Sequence, residues 1–218
     1  MPLSRRYEAV IFDMDGLLLE TEELWHASES ELFRRHGGEF TREDQLAVIG
    51  TGPEISGRYY AERLGLPIER GPALVDEMTA IMHERVRRQV AARPGALELV
   101  AELRKLDIPL GLASNSPRFL VEDALVSAGL ADSFRAIVTV DDVERPKPAP
   151  DIYLRACSLL GVDPSRALAL EDSVSGVAAA KAAGLTCIAV PMFAETDVSA
   201  ADEVVDSLEK LLERSGGV

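Results

Sequence analysis

Two aspartates separated by one residue, Asp13 and Asp15, directly follow a short apolar run, Ala9–Phe12. The β-branched and aromatic side chains of that run predict a buried parallel strand. Ligands bind at the carboxyl ends of strands in open α/β sheets, and Gly16 allows the chain to turn sharply there. Two carboxylates this close repel each other unless a cation joins them, and oxygen ligands favour a hard cation such as Mg²⁺. The segment therefore predicts a metal site, with a plain acidic turn as the alternative.

A second polar strand end contains Ser114, Asn115 and Pro117, after the apolar residues 110–113. A serine hydroxyl and free backbone N–H groups at the start of a helix form a seat for a phosphoryl oxygen or another oxyanion. Pro117 suits the first position of that helix. The segment predicts an anion-binding turn, and ordinary helix capping is the alternative.

A proline-rich loop surrounds Lys147, which lies between Pro146 and Pro148, with Pro150 two residues further on. Prolines at every second position forbid a regular helix and stiffen the backbone. An ammonium held in such a frame can neutralise both a carboxylate and a phosphoryl group. A surface turn with a solvated lysine is the alternative.

A fourth strand end carries Glu171 and Asp172, after residues 167–170, with Ser173 placed to start the next helix. These acids could complete an octahedral Mg²⁺ site with the first pair, with water in the remaining positions. An acidic helix N-terminus, which the helix dipole favours, is the alternative. Together the four segments supply a carboxylate nucleophile, a second acid, a hydroxyl, an ammonium and metal ligands.

Strand and helix patterns alternate from residue 94 onward. Helices are predicted at 95–105, 117–128, 151–160, 174–183 and 207–214, and strands at 108–113, 136–140, 167–170 and 186–190. The alternation predicts an α/β fold with a doubly wound, mostly parallel sheet and helices on both faces.

The residues between the first two predicted strands show helical periodicity and no convincing strand pattern. Helices are predicted at 22–36, 42–48, 54–64 and 73–90. An ordinary crossover between parallel strands carries one helix, so this segment must be an insertion. We therefore predict two domains, an α/β core of residues 1–18 and 94–218 and an all-helical cap of residues 19–93 above the strand ends.

The composition of the 218-residue chain limits its partners. A net charge of −14 disfavours nonspecific binding to nucleic acid or to an anionic membrane. No run of about eighteen apolar residues predicts a transmembrane helix, and the first residues lack the apolar region of a signal peptide. Cys157 and Cys187 are most simply two buried thiols in a reducing cytoplasm, with a disulfide as the alternative. We expect a cytoplasmic protein, and favour a monomer while leaving its oligomeric state open.

The four segments resemble the four motifs of the haloacid dehalogenase superfamily, in that order and at suitable separations. The matching residues are Asp13-Met14-Asp15-Gly16, Ser114, Lys147 and Glu171-Asp172. The longer segments 12–18 and 170–177 are typical of the branch with a small helical cap, which includes β-phosphoglucomutase and many sugar-phosphate phosphatases. The resemblance covers nearly the whole chain and is specific for fold and mechanism, but poorly specific for substrate.

The resemblance implies a role for each motif residue. Asp13 would attack phosphorus and form an aspartyl-phosphate, while Asp15 would act as the general acid and then the general base. Ser114, the Asn115 backbone and Lys147 would hold the phosphoryl group. In the family Mg²⁺ is the cofactor, and its ligands would be Asp13, Asp172, the backbone carbonyl of Asp15, and Glu171 either directly or through water.

Residues that match or differ from those of related enzymes narrow the range of expected activities. The second aspartate, Asp15, favours a phosphorylated substrate over a halide, and the absence of any lysine before Ala101 argues against phosphonate cleavage. Mutases of this type carry a histidine where this chain has Trp25 and an arginine near Pro53. We therefore expect a phosphatase of a small phosphorylated metabolite, such as a sugar phosphate or similar monophosphate. A β-phosphoglucomutase-like phosphomutase and a noncatalytic binding module are the alternatives.

Candidate substrate-specificity residues lie in the predicted cap. Thr21, Glu22 and Trp25 lie near its expected hinge, although a core position is the preferred interpretation of Trp25. Gly50, Thr51 and Gly52 form a glycine-flanked loop that could approach the active site, and a helix terminator is the alternative there.

Overall fold

The apolar runs of the sequence form the strands of one sheet in the computed structural model of the protein, which describes residues 7–49 and 51–215. The strands are β1 (Ala9–Phe12), β2 (Leu110–Ala113), β3 (Ala136–Val138), β4 (Ala167–Glu171), β5 (Thr186–Ala189) and β6 (Glu203–Val204). They are parallel and ordered β3-β2-β1-β4-β5-β6. Because β1 lies between β2 and β4, the residues that follow these three strands meet at one edge of the sheet. The predicted α/β fold with a mostly parallel sheet is confirmed.

Helices cover both faces of this sheet. They are α1 (Glu22–Arg35), α2 (Arg42–Val48), α3 (Pro53–Arg63), α4 (Gly71–Arg88), α5 (Ala96–Lys105), α6 (Arg118–Ser127), α7 (Asp151–Leu160), α8 (Val174–Ala182) and α9 (Leu208–Ser215). Among the described residues, none of these helices is both long and apolar enough to cross a membrane.

Alternation along the buried strands divides the core into two layers. Val10 and Phe12 of β1 pack on the side of α5, α6 and α9, whereas Ile11 packs on the side of α7 and α8. The two buried, free cysteines lie in the second layer, Cys157 on α7 and Cys187 on β5. The same alternation in β4 turns Glu171 towards α7, which places its carboxylate beside the helix that follows the proline-rich loop.

The helices α1–α4, which we call the helical insert, leave the sheet after β1 and return before α5. Their two connections run side by side, because Glu20 N donates to Ala91 O at 2.9 Å and Arg93 N donates to Leu18 O at 2.8 Å. The predicted boundaries of the core (1–18 and 94–218) and the cap (19–93) fall within these paired segments. The division into two domains stays a prediction.

Several predicted boundaries differ from the structure for local reasons. The strand predicted from residue 108 begins at Leu110, after Pro109, which has no N–H to donate to a ladder. The strand predicted to reach residue 140 ends at Val138, because Thr139 starts a 3₁₀ turn that it caps together with Asp142. Pro117 has an extended backbone and precedes α6, rather than taking the first helical position. The two-residue strand β6 was not predicted, since it is too short to show a period.

A buried carboxylate, Asp44, connects α2 and α3 within the helical insert. It forms a capping box with Thr41, accepts a hydrogen bond from Tyr59 Oη at 2.7 Å, and pairs with Arg63, whose Nε lies 2.5 Å from Oδ1. Its bond to Arg63 and those from Thr41 and Tyr59 outweigh burial and hold the pKa of Asp44 well below its usual value. The ionised carboxylate is therefore a stabilising feature of the insert.

We predict that Asp44→Asn lowers the free energy of unfolding by about 2–3 kcal/mol at pH 7, because a buried, multiply bonded charge is lost. A pKa lowered by folding stabilises the protein above about pH 4 and loses that contribution as the pH falls. The difference between the proteins should therefore shrink at pH 3. Urea unfolding at both pH values measures it, with Asp76→Asn on the exposed face of α4 as the matched control. An equal loss from both substitutions would contradict the role of Asp44.

Candidate active site

A single buried ammonium, Lys147, lies at the centre of the residues that follow β1, β2 and β4. Its Nζ donates to Asp13 Oδ1 at 2.6 Å, to Glu171 Oε1 at 2.5 Å and to Ala113 O at 2.9 Å. An ammonium has three protons to donate, so its donor capacity is saturated. Burial alone would lower the pKa of Lys147, but the carboxylates of Asp13 and Glu171 outweigh it and raise the pKa above its ordinary value.

The backbone of Lys147 is held by the side chain of Asn115, on the turn after β2. Asn115 Oδ1 accepts from Lys147 N at 2.9 Å, and Asn115 Nδ2 donates to Lys147 O at 3.2 Å. The peptide bond between Lys147 and Pro148 is cis. The family resemblance implies a role for the Asn115 backbone only, and the structure adds this side-chain bridge between two of the four segments.

Glu171 makes hydrogen bonds through both of its carboxylate oxygens. Besides Lys147, Oε1 accepts from Tyr153 Oη at 2.6 Å, and Oε2 accepts from Asp172 N at 3.2 Å and from Ser173 Oγ at 3.3 Å. The chain passes so close to this carboxylate that a Cβ on Gly176 would lie 1.9 Å from Oε2. Glu171 is therefore placed to orient Lys147. Tyr153 was not predicted from any sequence pattern, and it reaches the site from the first turn of α7.

Three carboxylates form the group of described residues that could hold a metal ion. Oxygen atoms of Asp13, Glu171 and Asp172 lie within 4.8 Å of one another. A Cβ on Gly16, whose φ is +75°, would lie only 2.2 Å from Asp172 Oδ2, so glycine is required beside this cluster. Burial, and then the neighbouring carboxylates, raise the pKa of both Asp13 and Asp172. Since one ammonium faces three acids, the donor set fits a divalent cation.

The carboxylate of Asp15 lies beside this cluster and accepts three hydrogen bonds. Ser116 Oγ donates to Oδ2 at 2.8 Å, Ser114 Oγ donates to Oδ2 at 3.2 Å, and Trp25 Nε1 donates to Oδ1 at 3.0 Å. Ser114 Oγ also accepts from Ser116 N at 3.0 Å. The structure thus brings Asp13, Asp15 and the second polar strand end together. It places the indole of Trp25 against Asp15, whereas the preferred interpretation from sequence was a core position.

The helical insert forms one wall of a pocket whose other wall is this set of core residues. Trp25, Val48, Ile49 and Met78 supply apolar surface, while Glu22, Glu29, Gln45, Thr51 and Thr79 supply polar groups. Of the other predicted cap residues, Thr21 is fully buried, and its hydroxyl has no hydrogen-bond partner among the described residues. Gly52 packs against Pro146, and Gly50 lies outside the described residues.

Two buried acids stand out in the wall formed by the insert. Burial, and then the carboxylates of Asp15 and Glu29, raise the pKa of Glu22 to about 8. Burial also raises the pKa of Glu29 to about 7, although Tyr60 Oη donates to it at 2.6 Å. Glu29 was missed in the sequence because nothing in its helical spacing distinguishes it from a surface acid.

Residues 10–190 match the sequence profile of haloacid dehalogenase-like hydrolases. The chain is 35% identical to hexitol phosphatase B of Escherichia coli K12 over 88% of this chain and 86% of that protein. It is 32% identical to validoxylamine A 7'-phosphate phosphatase of Streptomyces hygroscopicus over 91% and 92%. A crystal structure of CbbY from Rhodobacter sphaeroides in complex with phosphate superposes with a TM-score of 0.83 at 32% identity, covering 94% and 96%.

We predict that Lys147→Met costs about 3–5 kcal/mol of the free energy of unfolding at pH 8, because it leaves Asp13 and Glu171 buried without their counter-charge. Acids whose pKa is raised by folding destabilise the protein increasingly as the pH rises through that pKa. The cost should therefore be smallest near pH 5 and largest at pH 8, as measured by urea unfolding in a chelating buffer.

The matched control for this substitution is Lys181→Met, which removes an ammonium paired with the exposed carboxylate of Asp202 at 2.6 Å. An exposed ion pair contributes about 0–1 kcal/mol. The loss of unfolding free energy in Lys181→Met should therefore be small and should differ little between pH 5 and pH 8. Equal costs at pH 5 and pH 8 for Lys147→Met would show that its ammonium does not compensate the buried acids.

Proposed function

We propose a two-step phosphatase mechanism for this chain, which belongs to the haloacid dehalogenase-like hydrolase family. Relatives that are more than 30% identical over most of both chains are phosphatases, so the protein is a phosphoric monoester hydrolase. The finer proposal is a Mg²⁺-dependent hydrolysis of a small phosphorylated metabolite, a sugar phosphate or similar monophosphate, through an aspartyl-phosphate.

The observation that carries this proposal is the placement of Asp13 between Lys147 and the pocket. Lys147 holds Asp13 Oδ1, and among the described residues no hydrogen bond is made to Asp13 Oδ2. That oxygen attacks phosphorus while the ester P–O bond breaks, and the leaving oxygen takes its proton from Asp15. Asp15 then removes a proton from water, which attacks the phosphorus of the aspartyl-phosphate. Inorganic phosphate leaves and the Asp13 carboxylate is restored.

The surrounding residues position the reacting groups. The Asn115 backbone would bind a phosphoryl oxygen, and so would the buried Ser114 hydroxyl once it turns from Asp15, to which it donates in this structure. Lys147 offsets charge on both the nucleophile and the phosphoryl group. Asp13, Asp172 and the Asp15 carbonyl would hold Mg²⁺, which supplies positive charge against the phosphoryl oxygens. Both oxygens of Glu171 are already hydrogen-bonded, which favours its action through Lys147 over direct ligation.

The charge of the pocket supports a monophosphate substrate. Among the described lining residues, the helical insert contributes Glu22 and Glu29 but no lysine or arginine. A second phosphate on the leaving group would face these two acids and, among the described insert residues that line the pocket, no cation, whereas hydroxyl groups can hydrogen-bond to the acids. The repulsion of such a phosphate becomes strongest above about pH 8, where both acids are ionised. A phosphomutase must hold a bisphosphate between its half-reactions, so this wall favours hydrolysis. A noncatalytic module would have no need of the saturated Lys147 site.

We predict that the protein releases phosphate from p-nitrophenyl phosphate with Mg²⁺, that a chelator stops the reaction, and that added Mg²⁺ restores it. Asp13→Asn should lower kcat by at least about 10³-fold, because the nucleophile is removed. Asp197→Asn, an exposed aspartate, is the matched control and should keep the wild-type rate. A rate retained in Asp13→Asn would refute the nucleophile, and isomerisation of hexose 1-phosphate faster than phosphate release would favour the mutase.

We predict that at pH 9 kcat/KM for hexitol and hexose 6-phosphates exceeds that for hexose 1,6-bisphosphate by at least about tenfold, since Glu22 and Glu29 are ionised there and like charges across a binding site are unfavourable. Glu29→Gln keeps the shape of the side chain, removes its negative charge, and should lower this ratio of kcat/KM values. Glu54→Gln on the exposed start of α3 is the control and should leave it unchanged. A bisphosphate preferred by the wild type, or a ratio unaffected by Glu29→Gln, would contradict the selection by charge.

A further inference from the structure

Three donors hold the carboxylate of Asp15, and they come from two different parts of the molecule. Ser114 and Ser116 belong to the turn after β2 and both bond to Oδ2, at 3.2 and 2.8 Å. Trp25 belongs to α1 of the helical insert and bonds to Oδ1 at 3.0 Å. The orientation of Asp15 relative to the core therefore depends on a residue of the insert.

The chemistry of these donors is not equivalent. A serine hydroxyl can donate or accept and can rotate, whereas an indole N–H only donates and turns only with its ring. A proton on Asp15 Oδ1 would make that oxygen a weaker acceptor for the N–H of Trp25. A proton on Oδ2 can be donated to the oxygen of either serine, whose hydroxyl can rotate. The three hydrogen bonds therefore favour Oδ2 as the oxygen that carries the acidic proton of Asp15.

Trp25 is also placed to act as more than an apolar anchor. It is only partly buried, it lines the pocket beside Asp15, and its single polar atom is spent on that carboxylate. The partner of its N–H is a carboxylate of the α/β core, ten positions away in the sequence, rather than a nearby backbone carbonyl of the helical insert.

We propose that Trp25 is a positioning residue for proton transfer, which fixes Oδ1 of Asp15 and so leaves Oδ2 as the oxygen that exchanges the proton. The proposal rests on the proposed phosphatase function. Because α1 carries Trp25, this hydrogen bond connects the helical insert directly to Asp15 of the core.

The hydrogen bond between Trp25 and Asp15 can be detected without an activity assay, because Trp25 is the only tryptophan of the chain. Its indole Nε1–H gives a single cross-peak in a ¹H–¹⁵N spectrum. A hydrogen bond to a carboxylate contributes about 1.5–3 kcal/mol. In Asp15→Ala we therefore expect the indole N–H of Trp25 to exchange with solvent at least about tenfold faster, and its ¹H signal to shift upfield. Tyr59→Phe removes a comparable aromatic donor, to Asp44 within the insert, and should leave the cross-peak unchanged. An indole signal that Asp15→Ala does not affect overturns the proposal.

The kinetic consequence is tested by Trp25→Phe, which removes the donor and keeps an aromatic ring. The two substrates are p-nitrophenyl phosphate, whose leaving group needs no proton, and the hexitol or hexose 6-phosphate that the wild type hydrolyses fastest. We expect kcat/KM, which reports the first transfer to Asp13, to fall about 10- to 100-fold for the sugar phosphate. For the aryl ester we expect less than about a threefold change.

The control variant and the remaining outcomes distinguish a failure of the role proposed for Trp25 from a failure of the proposed phosphatase function. Tyr59→Phe should lower both values of kcat/KM equally or not at all. An equal fall for both esters in Trp25→Phe, with an unchanged melting temperature, would indicate a merely structural role and overturn the proposal. If Trp25→Phe does not fold, the indole signal of Asp15→Ala decides. A wild type that hydrolyses neither ester would refute the phosphatase function, while the indole signal would still report whether Trp25 holds Asp15.

Discussion

The buried ammonium of Lys147 is the interaction on which the arrangement of the site depends. Removing a charge from water is costly unless it is paired and fully hydrogen-bonded, and Lys147 meets this condition with Asp13, Glu171 and a backbone carbonyl. One positive charge cannot neutralise three neighbouring acids. Because of the residual negative charge, this cluster could hold a divalent cation. Burial, and then the neighbouring carboxylates, raise the pKa of Asp13 and Asp172.

The sheet provides the convergence that this interaction requires. With β1 in the centre, the ends of β2 and β4 lie on either side of it, so residues more than a hundred positions apart meet at one edge. Alternation in β4 directs Glu171 to the layer of α7, where Tyr153 and Lys147 reach it. The next residue, Asp172, points back towards Gly16. Two adjacent acids thus take different tasks because a strand places neighbours on opposite faces.

Sequence reasoning predicted the parts of the site that follow from local pattern. Polar residues at the ends of apolar runs, and a lysine between prolines, identified Asp13, Ser114, Lys147 and Asp172, because strand ends in a parallel sheet share an edge. Tyr153 and Glu29 were not predicted, since helical spacing shows which face is polar but not which partner that face meets. The side-chain bridge of Asn115 likewise depends on how two loops pack. These contacts are tertiary, and a single sequence carries no periodic signal for them.

The identity of the group that faces Asp15 also bears on which reaction the site can perform. The resemblance to the mutases of this family implies a histidine in those enzymes at the position of Trp25, and an imidazole can accept, donate and carry a proton. An indole can only donate, so Trp25 can hold Asp15 but cannot share or relay its proton. In the proposed mechanism the carboxylate would therefore serve alone, first as acid towards the leaving oxygen and later as base towards water. That sequence needs no second phosphate and no reorientation of an intermediate. The acid-lined wall of the helical insert, which would repel a bisphosphate once its acids are ionised, and the donor-only indole are two independent physical reasons for proposing hydrolysis.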